Sequence, residues 1–136
     1  MEHLGDITKI KGCVISAVDV AVGGSPCQDL SIAGPRAGMK HEDLGDEETT
    51  RSGLYMEQIR IIKELRYADS VRGRTGQLIR PRFMVWENVP GAFSSNHGED
   101  FRVVLEEAAR VADQGAVVPG PPNGKWTTSG AVLGDG

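Results

Sequence analysis

The chain has 136 residues, of which 39% are hydrophobic and 25% are charged, and its formal net charge is −4. This length allows one domain with a modest core, and the composition is ordinary for a soluble globular protein. The negative net charge does not indicate nucleic-acid binding by the protein surface as a whole, so any DNA contact requires a local basic patch. No run of 18 apolar residues predicts a membrane span, and the amino terminus lacks the regions of a signal peptide.

Two cysteines, Cys13 and Cys27, are present together with three histidines. Because no secretory signal precedes them, both thiols are expected to be reduced in a cytoplasmic compartment. The histidines are scattered and no Cys-x-x-Cys pair occurs, so the sequence predicts no metal site.

The first predicted elements lead up to a pair of glycines. Residues 4–11 predict a strand end, an acidic turn and a short helical piece, with Asp6 as its N-cap. Residues 13–22 predict a strand, and its valine-rich second half is typical of a buried parallel strand. Gly23 and Gly24 are expected to end it, because glycine allows positive φ and close backbone approach.

After the glycines, a proline presents Cys27 at the carboxyl end of the strand, where open α/β sheets carry their sites. A thiol in this position is available for chemistry, whereas an average cysteine is a small buried hydrophobe. The polar neighbours Gln28, Asp29 and Ser31 argue against an apolar burial.

Residues 32–51 are Gly-rich, charged and without periodicity, which is typical of a mobile functional loop or of disorder. A helix is predicted from Ser52 to Arg66, with Gln58 as a polar residue on its apolar face. That apolar face consists of Leu54, Ile61, Ile62 and Leu65. Residues 67–81 predict a second loop, and arginines outnumber acids from 66 to 82. This basic loop is either a solvated linker or a phosphate-facing patch.

Residues 83–86 predict a second buried strand, and a helix follows from Asn96, with Glu99 completing a capping box and Gly115 as its stop. The alternation of strand, helix and strand argues for an α/β fold with a parallel sheet. So few strands make only an incomplete doubly wound sheet. Its uncovered apolar edges and faces are expected to cause low stability or self-association.

Glu87 and Asn88 follow the second strand directly, and the ends of neighbouring parallel strands converge on one crevice. Cys27 and Glu87 are therefore expected to face each other across it. A thiolate nucleophile beside a carboxyl group that can protonate or hold its target is a complete pair for covalent catalysis. No Ser-His-Asp set is visible, and no histidine lies at a predicted strand end.

Four segments resemble motifs of the DNA cytosine-5 methyltransferases. Residues 24–31 (GSPCQDLS) resemble the Pro-Cys-Gln motif, and residues 87–91 (ENVPG) resemble the Glu-Asn-Val motif, sixty residues after the cysteine. Residues 5–7 (GDI) and 51–54 (RSGL) resemble two further segments of that family. The resemblance implies a Rossmann-like methyltransferase fold, with residues 1–114 as a partial catalytic domain and 115–136 as a Gly/Pro-rich tail.

The resemblance also implies an activity, which is methyl transfer from S-adenosylmethionine to C5 of a cytosine flipped out of double-stranded DNA. In this activity Cys27 would attack C6 of the ring, and Glu87 would hold N3 and the exocyclic amine. Substrate-binding roles would fall to Gln28, Ser31, Asn88, Arg36 and Lys40, and cofactor-binding roles to Asp6 and Pro26.

The family's Gly-rich cofactor turn, ribose-binding acid, Gln-Arg-Arg segment and target-recognition domain have no counterpart in the sequence. The chain is therefore expected to be a truncated enzyme of a bacterium or phage that is active only when another chain completes it. A second hypothesis is a catalytically inactive DNA-binding or interaction remnant that retains the basic loop. A third is an unrelated thiol enzyme, which would require a base near Cys27.

Overall fold

The computed structural model describes residues 2–24, 51–88 and 90–127, with 51 and 52 described by their backbone alone. The chain divides into two compact units. The first unit contains the described residues up to 24 together with 53–87, and the second contains residues 51, 52, 88 and 90–127.

The first unit contains two parallel strands that are joined along the chain by a helix. Strand β1 spans Val20–Gly24, helix α1 spans Arg51–Val71 and strand β2 spans Phe83–Glu87. The register places Val20 opposite Phe83 and Gly24 opposite Glu87, so both strands end at the same edge of the sheet. The predicted parallel pairing is confirmed, and this small sheet with its helix is a partial α/β fold.

Helix α1 packs onto the sheet through one apolar face. Its buried apolar side chains are Tyr55, Ile59, Ile62, Leu65 and Ala68. The ring of Tyr55 meets that of Trp86 on β2, with centroids 5.3 Å apart. The predicted end of the helix at Arg66 is wrong, because the buried Ala68 and Asp69 lie in a further turn that packs in the unit.

Strand β1 is shorter than predicted and begins later. Gly12–Val14 form a 3-10 turn instead of the start of the strand. Gly12 lies so close to α1 that a Cβ atom there would be 2.6 Å from the carbonyl oxygen of Ile61. This contact holds the segment against the helix. β1 ends at the two glycines as expected, with Gly23 and Gly24 as the last two residues of the strand.

One face of the two-stranded sheet is open to solvent. The exposed side chains on it are Val20 (45%), Val22 (72%), Phe83 (58%) and Val85 (50%). Because each valine of β1 pairs in register with one of the β2 residues, the four side chains form one apolar strip. The prediction of two buried strands is wrong for this face, because no described segment covers it.

The second unit is built around helix α2, which spans Glu99–Ala109. The ring of Phe101 packs edge-on against those of Phe93 and Trp126, with centroid distances of 4.7 and 5.7 Å. Trp126 Nε1 also donates a hydrogen bond to the carbonyl oxygen of Gly98 at 2.7 Å. Aromatic packing therefore ties the end of the described chain to the start of this helix.

The start of α2 differs from the predicted capping box. The cap residue is Gly98, in the left-handed region at φ 80, and Asn96 precedes the helix at φ 48. A Cβ atom on Gly98 would lie 2.6 Å from the ring of Pro121. Backbone conformation and close packing together therefore require glycine at the cap. Glu99 is the first helical residue and does not cap the helix.

The chain after α2 folds back onto the helix. α2 ends at Ala109, before the predicted stop at Gly115. The side chain of the buried Glu106 binds the chain segment that returns to the helix. Its carboxylate accepts hydrogen bonds from the backbone N–H of Val118 at 3.1 Å and from Arg102 at 2.8 Å. These bonds, that from the Val118 N–H first, hold the pKa of Glu106 below its usual range. The predicted domain boundary stays a prediction.

Within the described ranges, no helix combines the length and apolar character that a membrane crossing requires. Across residues 2–24, 51–88 and 90–127, no three histidine, cysteine or acidic side chains group in a way that could hold a metal ion. Cys13 is an exposed free thiol.

Candidate functional site

The carboxyl edge of the sheet brings Glu87 over Gly24. The two residues are register partners, and a Cβ atom on Gly24 would lie 2.9 Å from Oε2 of Glu87. Glycine at this position therefore leaves the space in which the carboxylate lies. Glu87 is exposed, so its carboxylate is accessible from solvent. Cys27 follows Gly24 by three residues in the sequence.

Six of the predicted site residues lie outside the described residues: Pro26, Cys27, Gln28, Ser31, Arg36 and Lys40. Asn88 is described and is half-buried directly after β2. The predicted pairing of Cys27 with Glu87 across a crevice therefore stays a prediction.

Asp6 caps the short 3-10 turn Ile7–Lys9, as predicted from the sequence. Its Oδ1 accepts hydrogen bonds from the backbone N–H of Thr8 at 3.0 Å and from the Thr8 hydroxyl at 2.8 Å. These bonds, the backbone one first, hold the pKa of Asp6 below its usual value of 3.8. The carboxylate is thus fixed by the turn that begins after it.

A cavity of about 220 Å³ lies at the carboxyl end of β1 in the first unit. It is lined by Ile7, Val22, Gly23, Gly24, Leu54 and Gln58. Ile7 belongs to the segment 5–7 and Leu54 to the segment 51–54, so two motif-like segments that are distant in sequence meet at one cavity. The two glycines bring the strand backbone to its wall without side chains.

Arg60 of α1 holds the segment that carries Ile7 against the helix. Its Nη2 donates a hydrogen bond to the carbonyl oxygen of Ile7 at 3.1 Å, and its Nη1 donates to that of Ile10 at 3.0 Å. Glu57 and Glu64 flank the guanidinium at 2.7 and 2.8 Å. The hydrogen bond to Glu57, followed by that to Glu64, raises the pKa of Arg60 above its usual value.

Glu64 adds a backbone contact beside Arg60. Its Oε2 accepts a hydrogen bond from the N–H of Gly12 at 2.6 Å. Burial raises the pKa of Glu64, but the hydrogen bonds from Arg60 and Gly12 outweigh this effect and hold the pKa below its usual range. The amino-terminal segment is therefore attached to α1 by two charged side chains acting on backbone groups.

The arginines of the basic loop bind groups of the chain itself. Arg66 donates hydrogen bonds to the carbonyl oxygens of Ile79 and Pro81 at 2.8 and 2.7 Å. Asp69, which is 1% exposed, accepts hydrogen bonds from the side chain of Arg80 at 3.1 Å and from its backbone N–H at 2.9 Å. The side-chain bond from Arg80 is the main cause that holds the pKa of Asp69 below its usual range.

The remaining arginines of this loop also have partners within the chain. Arg72 reaches the carbonyl oxygen of Ile15 at 3.3 Å, Arg74 reaches Asp69 at 3.5 Å and Arg82 reaches Asp19 at 3.7 Å. Because Arg72, Arg74 and Arg82 are exposed, the choice between a solvated linker and a phosphate-facing patch stays a prediction. The hydrogen bonds of Arg66 and Arg80 hold the connection between α1 and β2 in place.

Sequence reasoning missed the cavity-lining roles of Ile7, Leu54 and Gln58. The sequence pattern gives Ile7 no role of its own and places Leu54 on the apolar face of the helix. The sequence signal for this cavity is Gln58, because a polar side chain on an otherwise apolar helix face is unusual and needs an explanation.

A family model of C-5 cytosine-specific DNA methylases matches residues 1–111. The orphan methyltransferase M.SPRI of Bacillus phage SPR is 31% identical over 109 residues, which are 80% of this chain and 20% of that protein. The DNA (cytosine-5-)-methyltransferase M.ApeKI of Aeropyrum pernix is 34% identical over 110 residues, which are 79% of this chain and 19% of that protein.

One further relative is named for methylation of a different base. The DNA N-6-adenine-methyltransferase of Escherichia phage P1 is 38% identical over 97 residues, which are 68% of this chain and 11% of that protein. The chain thus spans at most 20% of the length of these three relatives. No solved structure matches the chain significantly.

Proposed function

The chain belongs to the C-5 cytosine-specific DNA methylase family, and we propose that it carries the base-modifying residues of a DNA cytosine-5 methyltransferase. The observation that supports this proposal is the parallel register of β1 and β2. It sets Glu87 opposite Gly24, at the end of the strand that leads to Cys27. Glu87 is the last residue of β2, and Cys27 is proposed to act beside it, three residues after the last residue of β1 in the sequence.

Cys27 is the proposed nucleophile. Its thiolate sulfur adds to C6 of a cytosine flipped out of double-stranded DNA, and C5 becomes an enamine carbon. Glu87 holds N3 and the exocyclic amine and stabilises the charge that develops as the sulfur adds. S-adenosylmethionine supplies the methyl group that C5 accepts. Loss of the C5 proton then breaks the bond between Sγ and C6 and restores the thiolate.

The loop that follows Cys27 is proposed to hold the DNA. Gln28 and Ser31 would close over the flipped base, and Arg36 and Lys40 would contact phosphates. Asn88 is proposed to orient the preceding carboxylate and the loop backbone. These roles rest on the resemblance of the motifs and on the order of the residues in the chain.

The cavity beside β1 suits one part of S-adenosylmethionine. Its volume of about 220 Å³ is below the range of about 300–1,000 Å³ that holds a whole drug-sized ligand. Ile7 and Leu54 give it apolar walls for the adenine ring. Asp6 would act there by fixing the turn that carries Ile7, and Pro26 would separate base from cofactor.

The relative named as an adenine methyltransferase raises the question of the target base. An exocyclic amine is itself a nucleophile, whereas C5 of cytosine becomes one only after a nucleophile adds to C6. A Pro-Cys motif followed by Glu-Asn-Val therefore favours cytosine as the substrate. We accordingly propose C5 of cytosine as the methyl acceptor.

A larger sheet is part of the proposal. β1 and β2 would be neighbouring strands of a doubly wound, Rossmann-like sheet, completed by a second chain or by self-association. The exposed apolar strip on the sheet supports this partner proposal. The inactive DNA-binding remnant stays an alternative, because Arg72, Arg74 and Arg82 of the basic loop are exposed.

A trapping experiment tests the proposed function. The chain is incubated with S-adenosylmethionine and a mixed-sequence duplex that contains 5-fluorocytosine, and covalent protein–DNA species are mapped by mass. We expect an adduct on Cys27 that disappears in Cys27→Ala and persists in the matched control Cys13→Ala. If a folded sample forms no adduct, or forms it on Cys13, the proposed activity of this chain is wrong.

A further inference from the structure

The basic loop, residues 66–82, holds five arginines and one acid in a chain whose net charge is −4. Two of these arginines are used by the fold. Arg66 binds two carbonyl oxygens at 2.8 and 2.7 Å, and Arg80 binds the buried Asp69 at 3.1 Å. The one acid of the loop therefore lies inside the unit and does not lower the positive charge of the loop surface.

The other three arginines are exposed and are held by longer contacts. The contacts of Arg72, Arg74 and Arg82 within the chain are 3.3, 3.5 and 3.7 Å long. The side chains of Arg74 and Arg82 keep 45% and 46% of their exposure. Long contacts between exposed groups contribute little to stability, so an anion outside the chain can replace them.

The backbone around Arg72 and Arg74 is open to a ligand. Residues 71–78 are all exposed, and a Cβ atom on Gly73 or Gly76 would have no neighbour within 4 Å. Glycine lets a ligand approach the backbone closely, and the polar residues between them add side-chain donors of the kind that bind phosphate oxygens. Charge, donors and free approach are thus combined on one surface.

This surface lies at the amino edge of the sheet. Arg82 directly precedes β2 and contacts Asp19, which directly precedes β1. Glu87 is the last residue of β2, about 13 Å further along the strand at about 3.3 Å per residue. The exposed arginines and the carboxylate of the proposed reaction are therefore at opposite ends of the strand.

We propose that Arg72, Arg74 and Arg82 form a second DNA-contact surface, which binds backbone phosphates without reading the base sequence. The inference rests on the proposed function, in which the substrate is double-stranded DNA. A duplex carries one negative charge per about 1.7 Å of its axis, and the planar fork of arginine matches a phosphate. Residues 72–77 (RGRTGQ) have no apolar or aromatic side chain, which favours DNA over a protein partner.

The experiment measures the binding of the full chain to a fluorescently labelled, mixed-sequence duplex by anisotropy, at several salt concentrations. The variant tested combines Arg72→Gln, Arg74→Gln and Arg82→Gln. The slope of the logarithm of the binding constant against the logarithm of the salt concentration should become shallower by about 3. The reason is that each lost phosphate contact removes about one unit of this slope.

A control variant removes three positive charges from exposed lysines elsewhere in the chain: Lys11→Gln, Lys63→Gln and Lys125→Gln. It should leave the slope unchanged. Thermal melting shows whether each variant is folded. If the triple arginine variant does not fold, Arg74→Gln alone should change the slope by about 1, because Arg80 still binds Asp69 in that variant.

The outcomes separate this inference from the proposed function. An unchanged slope in a folded arginine variant, or an equal change in the lysine control, overturns the surface and leaves the methyltransferase proposal standing. The expected change of slope without a Cys27 adduct supports the surface and contradicts the proposed activity.

Two further results would overturn the inference. One is a wild-type Cys27 adduct that the triple arginine variant fails to form at saturating DNA, because the surface would then belong to the reaction crevice. The other is labelled polyglutamate that binds the wild type as tightly as the duplex does, which would assign the surface to acidic polypeptides.

Discussion

In the first unit, charged side chains of α1 bind backbone groups of the amino-terminal segment, and in the second unit the contacts of α2 combine aromatic rings with the carboxylate of Glu106. Arg60 and Glu64 bind Ile7, Ile10 and Gly12 through backbone atoms alone. Phe101 contacts the rings of the residues that precede and follow α2. Charged contacts fix a chain segment at a set distance, while ring packing mainly buries surface.

The comparison matters because a wall of the cavity in the first unit is held by a charged side chain and not by ring packing. Ile7 lines the cavity, and its backbone is bound directly by Arg60. Loss of a hydrogen bond to a charged group should therefore move a cavity wall, while loss of an apolar contact should lower stability. The predictions below separate these two consequences.

The largest expected effect is that of Ile59→Ala on stability. Ile59 is 1% exposed on α1, so the truncation should leave a cavity and lower the free energy of unfolding by about 3 kcal/mol. Met56→Ala on the same helix, where the side chain is 41% exposed, should cost less than about 0.5 kcal/mol. Urea denaturation measures both, and equal losses would contradict the burial of this helix face.

Arg60→Met should loosen the amino-terminal segment with a smaller effect on stability. The methionine keeps most of the side-chain length but donates no hydrogen bonds to Ile7 and Ile10. Amide hydrogen exchange of residues 7–12 should become about tenfold faster. The binding of S-adenosylhomocysteine should weaken in parallel.

Arg102→Met is the matched control for this prediction. Arg102 is an arginine of the second unit that pairs with Glu99 and Glu106. The variant Arg102→Met should leave the amide hydrogen exchange of residues 7–12 unchanged. If both variants accelerate that exchange equally, the direct attachment through Arg60 is the wrong explanation.

The smallest effect concerns the cap formed by Asp6. The pKa of Asp6 in the folded chain lies below its usual value of 3.8. Between these two pKa values the unfolded chain therefore binds more protons than the folded chain. The stabilisation is therefore complete above the unfolded pKa and is lost as the pH falls through the folded pKa. The stability difference between the wild type and Asp6→Asn should shrink from about pH 6 to about pH 3.

The control for the cap is Asp113→Asn in the second unit, where Asp113 accepts one hydrogen bond from the N–H of Gly115 at 2.9 Å. Chemical denaturation across the pH range measures both variants. A difference for Asp6→Asn that grows on acidification would have the wrong sign for a carboxylate stabilised in its charged form.

The amino-acid sequence alone determined the features that depend on local pattern. The parallel pairing of the strands, the existence of both helices and the cap at Asp6 were predictable, because periodicity and capping chemistry are read from neighbouring residues. The family was also predictable, since residues 24–31 and 87–91 carry motifs at a set spacing.

Tertiary contacts decided the features that depend on residues distant in sequence. α1 extends to Val71 because Asp69 binds Arg80 beyond the helix, and the cap of α2 moves to Gly98 because Pro121 packs against it. The cavity exists because Arg60 holds Ile7 beside the helix that carries Leu54 and Gln58. Local pattern cannot specify such contacts, because their energy depends on which distant groups the fold brings together.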